Sequence, residues 1–140
     1  MTSSHRAPFA DATAPSLDLF AEIAAQAWQS LPHAFRSLSG DVEIRVLDFA
    51  EDDVLEELGM ENPFELTGLY SGVDLRNRSV IDPMPMASQV FLYRRPILDE
   101  WAERGDVTLA DLIAHVLIHE IGHHFGLSDD DIEAIEADAR

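Results

Sequence analysis

The sequence predicts a single α+β domain, and three observations carry that expectation. The chain has 140 residues, room for one hydrophobic core and little more. Hydrophobic residues make up 46% of it and charged ones 26%, the balance of an ordinary globular domain. Stretches with helical apolar spacing stand beside stretches that alternate with the two-residue period of a strand.

In chain order, residues 1–15 are rich in Ser, Ala, Thr and Pro and read as a flexible leader, with the domain over 16–140. From Leu17 the apolar positions Leu17, Phe20, Ile23, Ala24, Ala27 and Trp28 fit a helix capped by Ser16 or Asp18 and stopped by Pro32. Asp41–Phe49 alternates, with Val42, Ile44 and Val46 on one face and Glu43, Arg45 and Leu47 on the other, which is a strand. Glu51–Gly59 is an acidic short helix or turn. Glu61–Ser88, punctuated by Pro63, Gly68, Gly72, Pro83 and Pro85, reads as loop around a short strand near Gly68–Leu75, with Met84 and Met86 as loop or packing residues. Gln89–Tyr93 suits a further strand ended by Pro96, followed by a short helix over Ile97–Arg104. The main helix is Leu109–Phe125 with Thr108 as N-cap, and an acidic helix over Asp131–Ala137 closes the chain. There is no internal repeat.

The formal net charge of −18 repels phosphate backbones, so nucleic acid is not an expected partner. Zero cysteines remove disulfides, thiol nucleophiles and Cys-based zinc sites together, leaving His, Asp and Glu to hold any metal. No apolar run is long enough to suggest a membrane span. The first residues carry no apolar segment of secretory type, which makes the cytoplasm the expected compartment.

The stretch His119–Asp129, HEIGHHFGLSD, carries the chemistry. His119 and His123 are four apart, hence about 6 Å apart on one helix face, where two imidazoles converge on one zinc ion. Glu120, rotated by about 100°, flanks the metal and is placed to take a proton from its water. At this composition chance yields HExxH about 0.02 times per chain, and roughly 2 in 10,000 once Gly126 and an Asp or His at position 129 are required. Around the helix, Asp111, His115, His119 and His123 form one polar stripe and apolar residues cover most of the rest, as expected of a central helix facing a cleft. Gly126 ends the helix and turns the chain so that Asp129 approaches the histidines. Asp130 with Glu133 makes a cap-and-box pair for the last helix, which frees Asp129 as third ligand.

Other candidates have plainer readings. His115 lies one turn too far along the axis to join His119 and His123 and is a cleft-wall residue. His124 points away, as packing or surface. Tyr70, Tyr93 and His33 are each core or surface before they are oxyanion donors. Arg94 and Arg95 are salt-bridge partners for nearby carboxylates.

HExxHxxGxxD resembles the extended zinc motif of the zincin metallopeptidases, with Asp where metzincins have a third His. From about Leu17 onward the chain is similar to the small bacterial minimal-zincin family, in which segments like GLYSGV (Gly68–Val73) and FLYRRPIL (Phe91–Leu98) precede the HExxH helix. The resemblance implies a compact zincin-like fold, a small mixed sheet packed on the central HExxH helix between N- and C-terminal flanking helices. It implies zinc (Zn2+) on His119, His123 and Asp129, Glu120 as catalytic base, and a peptide or protein substrate paired along an edge strand at Val90–Tyr93. No residue after Asp129 is Met, so there is no Met-turn, and the tyrosine that some metzincins place there is missing.

The expected function is therefore zinc-dependent hydrolysis of a peptide bond. A zinc-binding regulatory or interaction module with little or no peptidase activity is the alternative. Metal-dependent RNA cleavage, suggested by a helical HxxxH pattern, is weakest, because Glu120 has no part in it and the charge opposes RNA.

Overall fold

Helix α1 (Leu17–Ser30) begins where the Ser16 hydroxyl accepts a hydrogen bond from the Leu19 amide at 3.2 Å, and it stops just ahead of Pro32. The chain is described here by a computed structural model that covers residues 7–71 and 88–139. Phe20, Ala24, Ala27 and Trp28 form the buried face of α1, the spacing read from the sequence. Pro32 also opens a one-turn helix, α2 (His33–Arg36), whose Phe35 is buried.

Strand β1 (Val42–Leu47) sends Val42, Ile44 and Val46 into the main core. Leu47 faces a second, smaller cluster with Ala50, Leu55, Leu66 and Tyr93. The acidic stretch forms α3 (Asp52–Leu58), and a single 3₁₀ turn follows at Pro63–Glu65. Strand β2 covers Gly68–Ser71. The rest of the strand expected to run to Leu75 lies outside the described residues, as do Met84 and Met86.

Strand β3 (Ser88–Tyr93) passes directly into α4 (Arg94–Arg104). Pro96 therefore does not mark the end of the strand. It sits in the first turn of α4, where a residue has no intrahelical hydrogen bond to lose. The remaining helices are α5 (Leu109–His124) and α6 (Asp129–Ala139). No helix among the described residues is long and apolar enough to cross a membrane.

The sheet is mixed, in the order β1-β3-β2, with β1 parallel and β2 antiparallel to β3. This corrects the edge-strand expectation for Val90–Tyr93, which is the central strand and has both edges paired. Its side chains explain why: Val90 and Leu92 are fully buried in the main core, and Tyr93 is buried in the second cluster with Phe91 packed beside it. A strand apolar on both faces belongs in the middle of a sheet. Helices α1 and α5 cover one face of the sheet, while the second cluster fills the other. The result is the compact α+β, zincin-like architecture.

Candidate metal centre

Thr108 caps α5 by accepting the Asp111 amide at 3.1 Å, and from there the helix is buried on most sides. Leu109, Leu112, Ile113, Val116, Leu117, Ile118 and Ile121 all lie in the core. Phe125 departs from that pattern, being 37% exposed just beyond the last helical turn. Asp111, His115, His119 and His123 are left along the open side.

The end of α5 is closed by two hydrogen bonds, from the Gly126 amide to the His123 carbonyl at 3.1 Å and from the Leu127 amide to the Gly122 carbonyl at 2.9 Å. The left-handed φ of 80° at Gly126 makes this closure possible. Helix α6 then starts two residues earlier than expected. Ser128, and not Asp130, is its cap: the Ser128 hydroxyl accepts the Asp131 amide and the Asp131 carboxylate accepts the Ser128 amide, both at 3.1 Å. Ser prevails because its partner three residues on returns the hydrogen bond, satisfying two orphan amides at once.

Helix α6 returns antiparallel along α5, and Gly122 sets how closely. A Cβ there would stand 3.1 Å from Cγ1 of Ile132, which is itself 1% exposed. This close approach brings two carboxylates of α6 to the histidine stripe. The Oδ1 of Asp129 is 3.7 Å from Nε2 of His123, with the two side chains 84% and 53% exposed. The Oε1 of Glu136 is 3.4 Å from Nε2 of His119 and 2.6 Å from Nδ1 of His115.

The rings of His115 and His119 are 4.0 Å apart, closer than the 5.4 Å between His119 and His123. Among the described residues, His115, His119 and Glu136 are the donors whose ligand atoms all lie within 4.8 Å of one another. His115, expected as a cleft wall, is thus grouped with His119 and with Glu136, a residue the sequence did not single out. A signal existed: Asp129 and Glu136 are seven residues apart, which puts them on one face of a helix two turns apart.

Glu120 leaves α5 on another side, toward β2. A Cβ at Gly68 would lie 3.3 Å from Cγ of Glu120 and 2.7 Å from Cγ1 of Val116, so only glycine admits β2 this close to the helix. Burial raises the pKa of the Glu120 carboxyl, with the charge of His123 opposing the shift. His119 moves the other way: burial lowers its pKa, the neighbouring His115 adds to this, and Glu136 opposes it. Burial thus favours the neutral imidazole, the form that ligates a cation. Tyr93 is raised by burial first, then by the carboxylates of Glu51 and Glu120.

The other candidates take plain places. The exposed His124 ring stacks 4.3 Å from that of Tyr70. Tyr70 and Tyr93 are 9% and 2% exposed, both core residues. His33 is exposed on α2, and Arg95 is exposed on α4. Arg94 pairs with Asp48 at 2.7 Å and donates to the Pro15 carbonyl at 2.8 Å.

Two imidazoles and a carboxylate are donors that zinc accepts, and in a tetrahedral shell its ligand atoms stand about 3.3 Å apart. The separation of 3.7 Å between His123 and Asp129 is close to that, and both side chains are exposed enough to rotate inward. By donor chemistry His119, His123 and Asp129 suit a zinc ion; by position His123 faces Asp129, while His119 groups with His115 and Glu136. No curated protein matches the chain. The profile described as zincin-like metallopeptidase matches residues 39–139, from just ahead of β1 to the end of α6. With the sheet, the HExxH helix and α6 all inside that match, the chain belongs to the zincin-like metallopeptidase family.

Proposed function

We propose that the protein is a zinc-dependent peptidase in which His119, His123 and Asp129 hold the ion and Glu120 is the general base. When bound, zinc supplies a Lewis acid that polarises a peptide carbonyl and acidifies water. The carboxylate of Glu120 takes the proton of the attacking water and later delivers it to the leaving amine. A carboxyl whose pKa is raised by burial is suited to that exchange, since it holds the proton more firmly than an exposed glutamate does.

The outer edge of β2 has no partner among the described residues and is the strand that packs against Glu120. An extended peptide pairing with that edge passes next to the base, so β2 takes the role once expected of Val90–Tyr93. The observation that carries the reading is the placement of Glu120, half-buried behind β2 and next in sequence to an open histidine stripe.

A second reading, a zinc-binding interaction module with little peptidase activity, draws support from the burial of Tyr70 and Tyr93, which takes both tyrosines out of the open cleft. One experiment separates the two. Glu120→Gln should keep the fold and the zinc while cleavage of a peptide-library substrate falls about 10²–10⁴-fold. Equal cleavage by wild type and variant removes Glu120 from the mechanism. Absence of cleavage by a zinc-loaded wild type favours the module.

A further inference from the structure

We propose that His115, His119 and Glu136 form a second seat for a divalent transition cation, one turn along α5 from the motif donors and exclusive with them. The proposal stands on its own geometry and does not require the peptidase reading.

Geometry, shelter and donor chemistry together point to a cation. The Oε1 of Glu136 faces both imidazoles at once, 2.6 Å from Nδ1 of His115 and 3.4 Å from Nε2 of His119. The second distance is already the edge of a zinc tetrahedron, about 3.3 Å, and the first opens to it by a side-chain rotation of about 0.7 Å. The donors come from two helices locked together by the Gly122–Ile132 contact, so the cradle is preformed. It is also sheltered, with side-chain exposures of 35% for His115, 33% for His119 and 19% for Glu136. A cavity of about 90 Å³ lined by His115, Glu136, Asp111 and Arg104 opens beside it, with room for the water that completes the shell. Two imidazoles and one carboxylate suit zinc or cobalt and not calcium or magnesium, which take oxygen donors.

Nε2 of His119 belongs to both seats, and one nitrogen lone pair binds one ion. The chain therefore carries one ion in either arrangement. In the inner arrangement the ion is held away from Asp129 and is unproductive for the chemistry proposed above.

The test is a cobalt(II) titration read by absorbance and by metal content after dialysis. It compares wild type, His123→Ala/Asp129→Ala, and the same double variant carrying Glu136→Gln. The replaced motif donors are both more than half exposed, so the fold should survive, as circular dichroism will show. The double variant should still bind about one cobalt per chain, and adding Glu136→Gln should weaken that binding roughly tenfold or more. If the folded double variant binds no cobalt, or if Glu136→Gln changes nothing, the second seat is wrong. Should the double variant not fold, His123→Ala alone takes its place with the same two expectations. Zinc retained by wild type but lost from the double variant overturns only this inference. A wild type that takes up no metal overturns the zinc-peptidase reading as well.

Discussion

The two ends of the polar stripe on α5 use the same chemistry, imidazole facing carboxylate, yet they are enclosed very differently. At one end Glu136 is 19% exposed and hydrogen-bonded to His115 at 2.6 Å. At the other, Asp129 is 84% exposed and stands 3.7 Å from His123. At the closed end Glu136 already has an imidazole partner and is sheltered, the setting in which we have proposed a second cation seat. At the open end both side chains are solvent-exposed and free to rearrange, as the proposed catalytic site requires. Donor identity alone does not say which kind of site a sequence encodes. Enclosure does.

The largest expected effect strikes both ends together. Ile132 is 1% exposed and holds α6 against Gly122, so Ile132→Ala should cost about 2–4 kcal/mol in denaturant unfolding. It should also weaken zinc binding, because both carboxylates ride on α6. A destabilised variant with undiminished zinc affinity would mean that α6 supplies no ligand.

The next test touches the open end alone. Asp129→Ala should weaken zinc roughly tenfold or more in chelator competition, while metal-free stability stays within about 0.5 kcal/mol, since the side chain is on the surface. Asp130→Ala, one residue on, should change neither. If the effects are exchanged, the third ligand is Asp130.

The smallest effect concerns burial itself and is read on metal-stripped protein. The folded-state pKa of Glu120 is raised by burial, so ionising it opposes folding. Stability from this group is greatest below the ordinary glutamate range, about pH 4.3, and declines as pH rises from there through the raised folded value. Glu120→Gln should therefore melt at a higher temperature than wild type at neutral pH, with the gap closing by pH 4. A gap that is equal at both pH values would remove burial as its cause.

The sequence made α5 legible from Thr108 to Gly126, because cap, apolar circumference and terminating glycine are all local signals. His119, Glu120 and His123 followed from spacing on that helix. One thing was misread and one passed over for lack of non-local information. The order of strands is one: the continuous apolar run of QVFLY could have indicated a central strand, but only its neighbours on both sides make that visible. Glu136 is the other: one acidic residue among many in α6, it acquires meaning only through the close helix approach at Gly122. Ser128 shows a subtler limit, where two overlapping capping patterns competed and the reciprocal hydrogen bond with Asp131 decided.

The proposed donors on α5 and α6 all belong to one helical hairpin. Most metal centres in mixed folds draw ligands from distant parts of the chain, and unfolding scatters them. Here the tether between His119 and Asp129 is short enough that the denatured chain keeps them at high effective concentration. If those donors hold zinc, it should bind the unfolded protein too, and raising the metal concentration should increase the melting temperature by less than native-state affinity alone dictates.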